Sequence, residues 1–210
     1  MNDYDGDGQT DLCVYDRTAG KWYIRSLQGS TPAWGLAWGN SGMTALGDDY
    51  DGDKKSDLAV YDNPAGRWYV RSLSGKALVW GALWGWNGAT PLTGDYDGDG
   101  RAELAIFDQT TGRWFIRTIA GSVLAWRQSW GWNGAIPVPG DYDGDGRTDL
   151  ALFNDITGHW FIKTMEGKGL AWDMAWGWRG AATIPGDYDG DGLNDLAVYN
   201  RVTGRWFVKS

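Results

Sequence analysis

Asp141-Tyr142-Asp143-Gly144-Asp145-Gly146-Arg147-Thr148-Asp149-Leu150 is the fourth of five copies of one acidic decapeptide. The copies begin at Asp3, Asp49, Asp95, Asp141 and Asp187, a constant step of 46 residues. A fixed period of this size marks a repeat architecture that fills the whole chain, residues 1–210, as a single domain. Within each copy, carboxylates at positions 1, 3, 5 and 9, with Gly at position 6 in four of the five, make a compact oxygen cage for a hard divalent cation. Calcium suits it best, because it accepts about six to eight oxygens at flexible geometry.

The five loops hold 20 of the 27 acidic residues and account for the net charge of −8. Five bound Ca²⁺ would bring that charge to about +2, and without them the carboxylates of each loop repel one another. The acidic balance argues against nucleic acid as a partner. No apolar run is long enough to cross a membrane as a helix, and no signal peptide is present. Cys13 is the only cysteine, so the chain forms no internal disulfide. It stands where the other repeats carry Ala59, Ala105, Ala151 and Ala197, and is expected to be a small buried residue.

The second repeat illustrates the strands. Leu58 to Asp62 is apolar on both alternating faces, the pattern of a strand covered on both sides. Asn63 to Gly66 is a turn, and Arg67 to Ser72 a second strand rich in aromatic and β-branched residues. Ala77 to Trp86 reads as a third strand and Ala89 to Gly94 as a short fourth. No segment has helical periodicity. Four short antiparallel strands per repeat, each sheet with two apolar faces, predict an all-β β-propeller of about five four-stranded blades. Counting strands gives 18, with the first blade lacking its innermost strand and the fifth its tryptophan strand. Such ends leave two outcomes, a five-bladed ring with a thin seam or an open arc whose unpaired strand edges self-associate, of which the second is the favoured expectation.

The run Asp-x-Asp-Gly-Asp-Gly-x-x-Asp-Leu resembles the calcium loop of FG-GAP/VCBS repeats, as in integrin-like β-propellers. The resemblance covers essentially the whole chain. It implies that the loop joins the innermost strand of a blade to the second, which would set Leu92 to Asp95 near the axis and Trp80 to Trp86 on the outer edge. The ring usual in that family has about seven blades, whereas this chain carries five loops.

The expected side-chain ligands are Asp3, Asp5, Asp7 and Asp11; Asp49, Asp51, Asp53 and Asp57; Asp95, Asp97, Asp99 and Glu103; Asp141, Asp143, Asp145 and Asp149; and Asp187, Asp189, Asp191 and Asp195. Gln9, Lys55, Arg101, Arg147 and Leu193, at position 7, are expected to offer their backbone carbonyls. An EF-hand would need flanking helices and Glu at position 12, and neither is present. The ions are read as structural. Lys54 replaces Gly at position 6 of the second loop, which should make that site the weakest.

No Gly-x-Ser-x-Gly elbow, phosphate-binding loop or zinc-spaced Cys/His cluster occurs, and the single histidine, His159, replaces the Lys or Arg of other repeats. The expectation is a non-enzymatic, calcium-stabilised binding or scaffold module for a glycan or protein ligand, at an extracellular or cell-surface site. A carbohydrate-binding lectin is the alternative. If the third strand is unbroken, Trp80, Trp84 and Trp86 share one face. That face either packs between blades or offers platforms for sugar rings, with Trp84, Trp86, Asn87, Trp130, Trp132, Asn133, Trp176 and Trp178 as candidate contacts. Arg67, Arg71, Arg113 and Arg117 read as solvated edge charges. The unslipping period also suits a designed or reconstructed repeat protein, although the repeats differ in many surface residues.

Overall fold

A computed structural model describes residues 2–210. The described residues are all-β, with 18 strands in five antiparallel sheets of β-propeller blade type and no helix. They cluster into two compact units. The first comprises residues 2–93, Asp99–Ile106 and Phe115–Trp126; the second comprises Gly94–Gly98, Phe107–Trp114 and Arg127–Ser210.

The first unit contains a three-stranded sheet, β1 (Leu12–Asp16), β2 (Lys21–Arg25) and β3 (Ala33–Ala37), paired in that order. It also contains a four-stranded sheet of β4 (Thr44–Asp48), β5 (Asp57–Asp62), β6 (Arg67–Arg71) and β7 (Ala77–Leu83). A third sheet draws residues from both units: β8 (Thr90–Leu92), β9 (Leu104–Asp108), β10 (Arg113–Arg117) and β11 (Val123–Ser129). In the second unit β12 (Ile136–Pro137), β13 (Leu150–Asn154), β14 (His159–Lys163) and β15 (Gly169–Ala175) form one sheet. A three-stranded sheet of β16 (Ala182–Thr183), β17 (Leu196–Asn200) and β18 (Arg205–Lys209) follows. The strand count agrees with the repeat pattern: the first and fifth sheets have three strands, as the missing innermost strand of the first repeat and the missing tryptophan strand of the fifth require, and the other three have four.

The strand after each loop is the centre of packing. In β5, Leu58, Ala59, Val60 and Tyr61 are all buried, so both faces are covered, as their continuous apolar run requires. Ala59, Ala105, Ala151 and Ala197 are buried, whereas Cys13 is half-buried. The adjacent strand places Trp22, Trp68, Trp114 or Trp160 in the core. Each buried indole N–H donates to a backbone carbonyl, those of Trp38, Trp84, Trp130 and Trp176, at 2.7–2.8 Å. A core Trp therefore fills space and also anchors the chain where it leaves the sheet.

The tryptophan strand departs from expectation. The sequence reads as a third strand from Ala77 to Trp86, with one tryptophan face if it is unbroken, but β7 ends at Leu83. Trp84 N–H turns back to donate to Gly66 O at 3.0 Å. Within β7, Trp68 pairs with Ala82 and Tyr69 with Trp80, so Gly81 is an extra residue in a β-bulge. The same slip bypasses Gly35 in β3. Gly35, Gly81, Arg127 and Asp173, one per repeat, have φ of +71°, +67°, +56° and +58°. The bulge breaks the alternation of facing, so Trp80 and Trp84 play different roles despite their shared parity.

Candidate functional site

The first carboxylate organises each acidic loop. Gly6 and Gly8 amides donate to the two oxygens of Asp3 at 2.7 and 2.8 Å, and Gly144 and Gly146 repeat this on Asp141 at 2.7 and 2.9 Å. In the second loop Gly52 and Lys54 take those places on Asp49, at 2.7 and 2.6 Å. The geometry demands a left-handed residue at position 6. Lys54 adopts it at φ +66°, beside +83° for Gly8, Gly100 and Gly146 and +89° for Gly192. The carboxylate at position 9 is buried and accepts from the position 2 amide, as Asp57 does from Tyr50 and Asp149 from Tyr142, both at 2.9 Å. Burial, reinforced by the neighbouring loop carboxylates, pushes the Asp57 and Asp149 carboxyls up to about 7 against the opposing pull of that amide.

These folds bring carboxylate oxygens together. Asp3, Asp5 and Asp11; Asp49, Asp51 and Asp53; Asp95, Asp97 and Asp99; Asp141, Asp143 and Asp149; and Asp187, Asp189 and Asp195 each offer one oxygen within 4.8 Å of the others. Every such group can hold a metal ion. Position 3 shows the fit. Its outer oxygen is anchored 25 residues downstream: Ser30 donates to Asp5 at 2.6 Å, Lys168 to Asp143 at 3.0 Å and Lys76 to Asp51 at 3.5 Å. The other oxygens, Asp5 Oδ1, Asp51 Oδ1 and Asp143 Oδ1, are buried with no hydrogen-bond partner. A buried carboxylate oxygen without a donor is costly, and a cation held by the all-oxygen cage would satisfy it.

Neighbouring loops are linked. Ser56 N–H donates to Asp3 O and Ala102 N–H to Asp49 O in the first unit, while Thr148 N–H donates to Asp95 O and Asn194 N–H to Asp141 O in the second, all at 2.6 Å.

The tryptophans divide into two sets. Trp38, Trp84, Trp130 and Trp176 are half-buried joints. Trp38 and Trp130 indoles donate to the carbonyls of Leu58 and Leu150 at 2.9 and 2.8 Å, and Trp84 to Phe115 O at 3.3 Å. A cation from the following sheet lies over each ring: Arg71, Arg117, Lys163 and Lys209 at 4.7–5.8 Å. Arg71 and Arg117 are therefore packing partners rather than solvated charges, and Arg67 donates to Gly81 O at 2.7 Å. The indole N–H of Trp176 is buried without a partner. The open rings are Trp34, Trp80, Trp126 and Trp172, at 71%, 74%, 63% and 74% exposure. Trp80 belongs to the face expected to pack between blades or to carry sugar platforms, but none of these four is among the residues named as candidate contacts. The signal for them was the positive-φ residue beside each, visible as Gly35 and Gly81 but masked by Arg127 and Asp173.

Two clefts open beside the exposed rings at equivalent places in the repeat. In the first unit Trp38, Asn40, Val60, Asp62, Tyr69 and Trp80 border a cleft of about 480 Å³. In the second, Trp130, Trp132, Leu152, Asn154, Phe161 and Trp172 border one of about 530 Å³, with Ser129 at its rim. Both lie in the size range of small-molecule sites. Phe161 meets both Trp132 and Trp172 edge-to-face, at centroid distances of 5.0 and 5.4 Å. Asn87 and Asn133 are exposed, and Trp86 and Trp178 meet Phe115 and Phe207 edge-to-face. His159 is partly exposed, with Nδ1 2.8 Å from Asp173 Oδ1.

With loops and blades in place, the sequence matches the model of the FG-GAP-like repeat at residues 49–106, 95–152 and 141–198. The chain belongs to this repeat family. A search of curated proteins finds no match. Among solved structures, it is similar to an Agrocybe aegerita lectin described as recognising non-reducing terminal N-acetylglucosamine. The TM-score is 0.59 at 16% identity, over 96% of this chain and 65% of the lectin. It is also similar to a protein of unknown function from Bacteroides caccae, with a TM-score of 0.51 at 14% identity, over 93% of this chain and 70% of that one. The chain thus spans less than two thirds of the lectin's length.

Proposed function

We propose that the protein is a non-enzymatic binding module whose blades are stabilised by calcium. The buried, partnerless oxygens of Asp5, Asp51 and Asp143 carry this reading, since each lies in an all-oxygen cluster that a hard cation would complete. The ions would be held by the carboxylates at positions 1, 3, 5 and 9 and the carbonyl at position 7, from Asp3, Asp5, Asp7, Asp11 and Gln9 in the first loop to Asp187, Asp189, Asp191, Asp195 and Leu193 in the fifth. Their chemistry is charge neutralisation, which couples binding to folding. Such sites suit an extracellular setting, where calcium reaches the roughly 10⁻⁴–10⁻³ M affinities of extracellular modules. Calorimetric titration of the chelated chain tests the reading: about five ions per chain are expected, and no calcium heat at millimolar concentration would refute it.

The ligand class we favour is carbohydrate. The two clefts support it, because each sets an exposed indole beside hydrogen-bonding side chains, and indole faces pack against the C–H faces of pyranose rings. The lectin of similar fold is consistent with it. Weak sites repeated along one chain would gain by multivalency. Tryptophan fluorescence that responds to calcium but to no glycoside would refute this part.

A further inference from the structure

The two clefts share one place in the repeat and differ in the hydrogen bond they offer. Asp62 ends β5 and Asn154 ends β13, and each caps the turn that follows. Ala65 N–H donates to Asp62 Oδ1 at 3.2 Å. Ile156 and Thr157 N–H groups donate to Asn154 Oδ1 at 3.0 and 3.2 Å. The turn thus uses one oxygen in each case and leaves the second group for the cleft. At Asp62 that group is a carboxylate oxygen, which only accepts. At Asn154 it is an NH₂, which only donates, and two amide donors on Oδ1 fix that orientation. Asp and Asn serve such a turn equally well, so the turn does not account for the difference.

The surroundings change in step. Asn40 of the first cleft becomes Trp132 in the second, and Tyr69 becomes Phe161. An amide and a phenol hydroxyl give way to bare aromatic surface. The first cleft therefore suits a ligand with several hydroxyls to donate. The second suits a neutral ligand with one acceptor oxygen next to an apolar group.

On the carbohydrate reading above, we propose that the second-unit cleft binds an N-acetylated pyranose and the first-unit cleft a pyranose with free hydroxyls. In the second cleft the acetamido carbonyl accepts from Asn154 Nδ2, its methyl group packs against Trp132 and Phe161, and the ring lies on Trp172. In the first cleft a ring hydroxyl donates to Asp62 Oδ2, with Asn40 and the Tyr69 hydroxyl in reach of others. An acetamido carbonyl turned toward Asp62 would oppose two acceptors, and free hydroxyls placed on Trp132 and Phe161 would lose their water without replacement.

The test is ligand-observed NMR titration of the full calcium-loaded chain with two probes, the methyl β-glycosides of N-acetylglucosamine and of glucose. Asn154→Asp keeps the turn cap and replaces the free donor by an acceptor. It should weaken the N-acetylated probe by about tenfold or more and leave the glucoside unchanged. Asp62→Asn should do the reverse, and neither should move the melting temperature appreciably. Trp172→Ala, at an exposed ring, should abolish binding of the N-acetylated probe alone. If both probes bind but ignore these variants, or both respond to the same one, the assignment of the clefts is overturned while the carbohydrate reading stands. If wild type binds neither probe up to the solubility limit, both fall.

Discussion

The acidic loops and the tryptophan strands recur at the same step, yet they vary in opposite ways. In the loops the hydrogen-bond geometry and the side chains repeat together: an Asp opens every copy, and the buried carboxylates of Asp11, Asp57, Asp149 and Asp195 each accept from the position 2 amide of their loop. In the tryptophan strands the backbone and the indoles repeat while the residues around them change. The bulge keeps its left-handed residue while that residue changes from Gly to Arg127 and Asp173, and the cleft beside it changes from polar to aromatic. A site shaped to take the same small ion in every repeat would tolerate little change. A surface that is free to differ between repeats can acquire different ligands on an unaltered frame.

Removing calcium should break the comparison most severely, because it leaves four carboxylates crowded in every loop while the tryptophan strands are untouched. Chelation should lower the melting temperature by many degrees, and an unchanged transition in EDTA would show that the loops do not depend on the ion.

Next comes the division among tryptophans. Trp130→Ala removes a hydrogen bond to Leu150, the platform under Lys163 and much buried surface. It should cost about 3–5 kcal/mol in denaturant unfolding, the range for a core aromatic. Trp172→Ala should cost less than about 1 kcal/mol, because the ring is largely exposed. Equal losses would erase the distinction between joint and platform.

Lys54→Gly relieves a left-handed backbone worth about 1 kcal/mol and removes a positive charge near the cage, so calcium binding at the second loop should tighten about fivefold. An NMR titration that follows this loop would detect the change, and a weaker site would sink the argument. Arg127→Gly should have the smallest effect, a gain of a few tenths of a kcal/mol, since relief of strain is offset by greater freedom of the unfolded chain. A loss of stability there would mean that the Arg side chain makes a contact that outweighs the strain.

Much of this was legible in the residues. The loop spacing reveals the repeat, and the doubly apolar run Leu58 to Tyr61 reveals a strand covered on both faces. The strain at Lys54 could be read because its neighbours in the repeat are Gly. The roles of Trp80 and Trp84 could not. Alternation assigns them one face, and only the inserted Gly81 separates them, a device whose Gly signature vanishes at Arg127 and Asp173. Nor could the clefts be found, because Asp62, Tyr69 and Trp80 are brought together by pairing across strands rather than by proximity in the chain.

The 2.6 Å bonds from one loop's amide to the preceding loop's first carbonyl carry a thermodynamic consequence. Asp3 and Asp49 both open cation cages, and Ser56 in the second loop holds the carbonyl of Asp3 in the first; Asn194 does the same for Asp141 in the second unit. Ordering one cage therefore fixes a backbone group of its neighbour and removes part of the entropy that the neighbour must lose. Occupancy within each unit should then follow nearest-neighbour statistics, with a saturation curve steeper than that of independent sites.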